Sequence, residues 1–359
     1  MTLAKAQRAY KFLTGEWLGD VPTNAEGKAA LVALLMTIIV RQFFPSRPAW
    51  FVTAPIAGTG KTTVLTMVNV AANGTEAAAC SWSSCREERR KAIFAHALAG
   101  ASLVVWDNLE RGAEVDCPEI NRVLTTPMLE DRVVGQSRTR KADATTVQTF
   151  TGNAIRPVKD LATRSIIVTL DAKRPDPENR PVKHRDPVGW TFAHRAKIIG
   201  AALTILCLPR KPQANAGIRF VDWWDMVGRP VEMLAGVRFG EMIGRNRAQD
   251  REERDIETVL TILHAEFGDR EFTAAGVVGL LRPSFDDGKK KQAEDLRDAL
   301  NSVVRDGKPL GPDCNARDVG HKLGAIRDRP VKVKGQVLTL HGKDDVRSNL
   351  YAVIAEELV

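Results

Sequence analysis

The sequence predicts an α/β protein built on a mainly parallel sheet, extended by helices and followed by a separate small module of helices and a β-hairpin. Three observations carry this expectation. Short apolar runs rich in β-branched residues alternate with helically periodic segments from Ala25 to Leu170, the pattern of strands covered on both faces by their connecting helices. A glycine-rich loop, Gly58-Thr59-Gly60, joins one such run directly to the next helix. Past Asp171 the composition changes, first to a stretch crowded with Pro175, Pro177, Pro181 and Pro187, and at Arg245–Arg254 to a charge-dense run that suits a connector.

In chain order, residues 1–24 read as a polar lead-in or linker. Ala25–Phe44 carries apolar residues at helical spacing and stops at Pro45, as a helix does before proline. Ala49–Ala54 is a short buried strand, and Thr63–Ala72 resumes helical periodicity. Ser83–Leu98 is a basic amphipathic helix, Ala101–Asp107 a second buried strand ending in a carboxylate, and Glu119–Leu129 a helix. Arg132–Thr149 reads as two extended segments around a charged tip, Ser137–Asp143, after which Asn153 ends one strand and Ser165–Leu170 forms another. Trp190–Leu208 and Val221–Gly240 are helical, with Trp223 and Trp224 packed inside. The last part reads as helices over Ile256–Phe267, Ala274–Leu281, Gln292–Arg305 and Asn315–Ile326, then two strands around Lys334-Gly335. The expected divisions are 1–24, 25–187, 188–250 and 251–359.

Composition narrows the class only a little. With 44% apolar residues the chain is too hydrophobic for disorder, and 52 Lys+Arg against 44 Asp+Glu give +8, enough to permit a polyanionic partner without requiring one. The longest apolar stretch, Ala29–Val40, is short of the ~20 residues that cross a bilayer, and the first residues lack an apolar leader. No membrane association is expected. Five scattered cysteines, without a CxxC pair, read as free thiols in a reducing cytoplasm.

Chemistry concentrates in the glycine loop. Pro55, Ala57, Gly58, Thr59, Gly60, Lys61, Thr62 and Thr63 run from the strand into the helix, the order a phosphate-binding loop needs. Gly58 and Gly60 let backbone N–H groups close around phosphate oxygens, Lys61 reaches the terminal phosphates, and Thr62 offers a hydroxyl to Mg²⁺. The full pattern has glycine where Pro55 stands. Asp107, at the end of a neighbouring strand, is either a turn former or the carboxylate that orients the metal; coupled to the lysine loop, it reads as the latter. The acid that would polarise water after it is replaced by Asn108, with Glu110 a substitute or a solvated loop residue. Asn153 either makes an Asx-turn or hydrogen-bonds water or the γ-phosphate. Arg164 either pairs with Asp160 or reaches a nucleotide on a neighbouring subunit.

Taken in order, Gly58-Thr-Gly-Lys-Thr62, Val104-Val-Trp-Asp-Asn108, Arg132-Val-Val-Gly-Gln-Ser137, Thr151-Gly-Asn153 and Asp160-Leu-Ala-Thr-Arg164 resemble the AAA+ ATPase module of phage, prophage and plasmid replicative helicases, near the superfamily 3 and minichromosome-maintenance-like helicases. The likeness covers about residues 25–210. It implies an AAA+ P-loop NTPase core with a helical lid, using ATP and Mg²⁺, assembled as a ring that is usually hexameric and translocates on DNA in the bacterial cytoplasm. In that family Asn153 would be sensor 1, Arg164 the finger acting in trans, and Arg132–Thr149 the hairpin that touches DNA, with Arg138, Arg140 and Lys141 at its tip. The family's paired arginines are here Thr163-Arg164.

Cations clustered on a hairpin suit the regular charge of a DNA backbone, though charge runs also simply face water. The C-terminal helices and hairpin match a winged helix, a module that binds DNA or docks proteins and ends many proteins similar to this family. Asn315–Ile326 would be its recognition helix, with Arg317, Lys322 and Arg327, and Lys332 and Lys334 would sit on the wing. The function expected is an ATP-dependent DNA helicase or translocase of a mobile genetic element, with a primase or polymerase encoded separately as partner. The alternatives are an initiator or remodeller without processive unwinding, or a nucleotide-switched DNA-binding regulator, which Asn108 favours.

Overall fold

A computed structural model of the chain describes residues 1–76, 79–132, 138–209, 218–248, 251–282, 286–303, 309–311, 313–333, 336–343 and 349–357, apart from the side chains of residues 248, 251, 332 and 357. Its contacts divide into two units, Met1–Arg247 and Ala248–Val359. Among the described residues no helix is long and apolar enough to cross a membrane.

The first unit begins with α1 (Leu3–Phe12), which runs into a π-helical turn, Leu13–Trp17. Residues 1–24 are therefore not the expected linker. Ala6, Leu13, Trp17 and Leu18 follow helical spacing and are at most 1% exposed, and Trp17 Nε1 donates to Thr191 Oγ1 at 3.0 Å. α2 (Ala25–Val40) is capped by Asn24, whose side chain accepts from Gly27 N, and is buried on nearly every face, as a helix in the middle of a core must be. β1 (Ala49–Ala54), α3 (Lys61–Asn73), β2 (Ala79–Ser81), α4 (Arg86–Leu98) and β3 (Leu103–Leu109) follow. Three of the four Arg and Lys side chains of α4 are neutralised locally, Arg86 on Glu119, Arg90 on Glu87 and Asp131, and Lys91 on Glu88.

After β4 (Glu114–Val115) and α5 (Pro118–Thr125), β5 (Met128–Arg132) and β6 (Thr139–Asp143) pair antiparallel. The predicted charged tip is displaced: residues 133–137 lie outside the described residues, and Arg140 and Lys141 are on the second strand, opposite Asp131 and Glu130. Then come β7 (Val147–Asn153), β8 (Arg156–Pro157), α6 (Lys159–Ala162) and β9 (Ser165–Thr169). Among the described residues the central sheet has five strands in the order β2-β3-β7-β1-β9, every pair parallel. β1, in its interior, is buried at all six positions. That is the reason its sequence is a continuous apolar run without alternation.

α7 (Pro187–Ala193), α8 (Arg195–Leu206), α9 (Val221–Trp223), α10 (Arg229–Ala235) and α11 (Phe239–Ala248) share the core of the sheet and α2. Trp223 and Trp224 are buried as expected, and Trp223 Nε1 donates to Thr37 Oγ1 on α2 at 2.7 Å.

The second unit has its own apolar cluster. It is formed by α12 (Arg251–Phe267), β10 (Phe272–Thr273), α13 (Ala274–Leu281), α14 (Asp287–Val303), α15 (Ala316–Ile326), β11 (Val331–Val333), β12 (Gln336–Lys343) and β13 (Leu350–Glu357). Its antiparallel sheet runs β10-β13-β12-β11. The expected hairpin is β11–β12; β13, which pairs along all of β12, was not anticipated.

Candidate functional site

The candidate residues meet beyond the carboxyl ends of β3, β7 and β1, where open parallel sheets hold their ligands. The loop after β1 turns into α3 through Gly58 and Gly60, at φ 76° and 90°, a left-handed backbone open to glycine. Gly60 caps α3, so the unpaired N–H groups and partial positive charge of that helix end face the mouth of the loop. Lys61 crosses from α3 to β7 and donates from Nζ to Asn153 Oδ1 at 2.7 Å. Burial pushes the Lys61 ammonium below the usual lysine range, and Asp107 pulls it partly back.

Asp107 Oδ1 collects several donors. Thr62 Oγ1 lies 3.3 Å away, Asn108 N donates at 2.9 Å, and Thr151 Oγ1 from β7 makes a short hydrogen bond. β3 bulges between Trp106 and Leu109, with Asn108 at φ 56°. The bulge turns the Asn108 amide inward, towards Asp107 and Thr151 Oγ1. The Thr62–Asp107 oxygen spacing is close to the ~3 Å edge expected between adjacent ligands around Mg²⁺, so this pair fits such an ion.

Beside the loop is a cavity of about 280 Å³, with Trp17, Val21, Met67, His184 and Trp190 among its walls. Its far side is the proline-rich stretch between Asp171 and Pro187. Here it is pinned in place: Asp20 accepts from Lys183 N at 2.9 Å and His184 N at 2.8 Å, and Lys183 pairs with Glu16. His184 stacks on Trp190 at 4.5 Å. Thr59 Oγ1 and His184 Nε2 are buried in these walls without a hydrogen-bond partner among the described residues. Thr151, Asp20, Glu178, Arg180 and His184 were missed, because nothing local marks them. The only available signal was four prolines within thirteen residues, the composition of a stiff segment as much as of a linker.

The other predicted residues are elsewhere. Pro55, Ala57 and Thr63 belong to the loop and the first turn of α3. Arg164 is at the amino end of β9, next to Ala49 at the start of β1, on the opposite edge from the loop. It is 16% exposed, pairs with Asp160 at 2.7 Å and donates to Asn121 O at 3.0 Å, so the simpler of its two readings is realised within the chain. Arg138, Arg140 and Lys141 are exposed.

In the second unit Arg317 is exposed on α15, but Lys322 is 2% exposed and turned into the core, which lowers its pKa. The reading of Lys322 as a DNA contact is corrected by its place in the pattern Val319, Lys322, Leu323, Ile326, the apolar spacing of a buried helix face. Arg327 is turned to the Gly342 carbonyl of β12. Lys334 lies outside the described residues, as does the side chain of Lys332, whose backbone is in β11.

No known family model matches the chain, and no curated protein matches it. Among solved structures, the apo C-terminal region of NrS-1 aligns with 99% of this chain and 76% of its own, at 9% identity and a TM-score of 0.45. JCV helicase, bound to a small-molecule acetamide, aligns with 69% of this chain and 67% of its own, at 12% identity and a TM-score of 0.31.

Proposed function

We propose that this chain is an ATP-dependent DNA helicase or translocase of a phage or other mobile element, acting in DNA replication as an oligomeric ring, most simply a hexamer. The observation that carries the reading is the meeting of Lys61 with Asn153 and of Thr62 with Asp107 above a left-handed glycine loop. In this reading residues 55–63 are a P-loop. Backbone N–H groups from Gly58 to Thr63 cradle the phosphates of ATP, and Lys61 exchanges Asn153 for a phosphate oxygen. Asn153, released, turns to the γ-phosphate or to water. Thr62 and Asp107 hold Mg²⁺, which when bound neutralises developing phosphate charge; Thr151 and the Asn108 amide keep the Asp107 carboxylate aimed. The apolar cavity beside the loop receives the base.

The second unit is read as a winged helix with α15 as recognition helix and Arg317 its exposed cation. Arg138, Arg140 and Lys141 are read as the channel contacts, and α7–α11 as the lid. For Arg164 to act in trans it would exchange Asp160 for a neighbour's phosphate. One observation favours a second reading, a nucleotide-switched regulator. Asn108 supplies no carboxylate, and it is its backbone N–H that donates to Asp107.

The deciding measurement is ATP hydrolysis with and without single-stranded DNA, beside strand displacement on a forked duplex. Stimulated hydrolysis with unwinding is expected. Hydrolysis alone would leave a remodeller, and negligible turnover the switch. Lys61→Ala should abolish turnover, and survival of activity would remove the site assignment. Mixing Arg164→Ala with Lys61→Ala subunits should restore part of the activity if Arg164 acts across the boundary.

A further inference from the structure

Two charged side chains from the segment between β9 and α7 lie on the glycine loop. Glu178 follows Pro177 in a single helical turn, and its Oε2 is so close to Gly58 that a β-carbon there would collide with it. Arg180 donates from Nη1 to Thr59 O at 3.4 Å and Pro177 O at 3.2 Å, and from Nη2 to Asp20 O at 3.3 Å. A β-carbon on Gly60 would be 3.7 Å from Nη2.

The electrostatics of these two groups are opposite. A carboxylate near the amino end of a helix is favourable, and Glu178 lies against Gly58, two residues before the glycine that caps α3. A guanidinium near that same end is unfavourable, and Arg180 has three long carbonyl contacts and no carboxylate within ion-pair distance among the described residues. A multiply charged phosphate at the loop reverses both terms. It repels Glu178 and supplies the anion that Arg180 lacks.

We propose that Arg180 is a phosphate-binding residue of the nucleotide site and that Glu178 is a competing anion that holds the segment on the loop until phosphate arrives and expels it. The inference rests on the nucleotide reading above. It makes the segment of residues 171–187 a charge-exchanging strap, tied at its far end by Asp20 to the backbone of Lys183 and His184.

The two residues should therefore respond with opposite signs. Calorimetric titration of the full-length protein with ATP, ADP and AMP should show Arg180→Ala weakening ATP about tenfold and AMP far less, with Arg180→Lys recovering part of the loss. Glu178→Gln should tighten ATP, by about fivefold. Thermal melting of the ligand-free variants separates charge exchange from loss of fold. Parallel losses in both variants, or no change in either, would overturn the strap while wild-type still bound ATP in a Lys61-dependent way. A wild-type protein that bound no nucleotide, with Lys61→Ala indistinguishable from it, would instead overturn the nucleotide reading and the strap with it.

Discussion

Gly152 shows how tightly a single position is held at this site. It precedes Asn153 on β7, and a β-carbon there would stand 2.8 Å from Leu109 O and 2.5 Å from Ile155 Cγ2. The carbonyl belongs to the β3 bulge and cannot rotate away. Gly152→Ala is expected to cost about 1–3 kcal/mol in chemical denaturation, as overpacking does, and to weaken Lys61-dependent nucleotide binding by moving Asn153. Unchanged stability and affinity would show that the bulge yields freely. Lys61 makes a pH-dependent prediction. Its pKa is lowered in the free protein by burial, so as pH rises it loses its proton before an ordinary lysine does. A bound phosphate raises that pKa again. Nucleotide affinity should therefore begin to fall at a lower pH than an ordinary lysine would allow, and binding there should take up a proton, measurable by calorimetry in buffers of different ionisation enthalpy. Proton release on binding would contradict the assignment. The sign for stability is the reverse: charging a buried lysine is costly in the folded state, so in the ligand-free protein Lys61 favours folding more as pH rises through the lowered pKa.

At the scale of elements, the hairpin of β5 and β6 depends on one arginine. Arg47 is fully buried and donates to Ala144 O, just past β6, at 2.6 Å, and to Phe44 O at 2.8 Å, with no carboxylate paired to it among the described residues. Burial pushes its pKa down to about 10, with Arg41 adding to the effect. Arg47→Ala should leave these carbonyls without donors, costing about 3 kcal/mol in equilibrium unfolding. Loss of less than about 1 kcal/mol would mean that water replaces the guanidinium. The sequence made the parallel strands legible because a doubly covered strand must be a continuous apolar run. It did not make α1 legible in the same way, because its buried positions are few and small, and Trp17 acquires its meaning from Thr191, 174 residues away.

At the scale of the whole molecule, each unit carries its own buried cluster. Leu300 is fully buried in the second. Leu300→Ala should therefore cost about 2–5 kcal/mol in that unit's unfolding while leaving nucleotide affinity unchanged. A matching loss of affinity would show that the units are energetically coupled. The surplus of +8 also has a distribution: much of the base on α4 is cancelled by neighbouring acids, whereas Arg138, Arg140, Lys141 and Arg317 remain exposed.

The sequence by itself determined the loop, Lys61, Thr62, Asp107 and Asn153 as a set. In a parallel sheet, ligand-facing residues fall at the ends of apolar runs, a one-dimensional signal. Only the tertiary structure decided that Thr151 and the Asn108 amide orient Asp107, that Arg164 is engaged within its own chain, and that Lys322 is buried. It also brought Asp20, Glu178 and Arg180 to the loop. Those contacts join segments more than a hundred residues apart, and hydrogen bonds and burial of that range leave no periodicity in the chain that makes them.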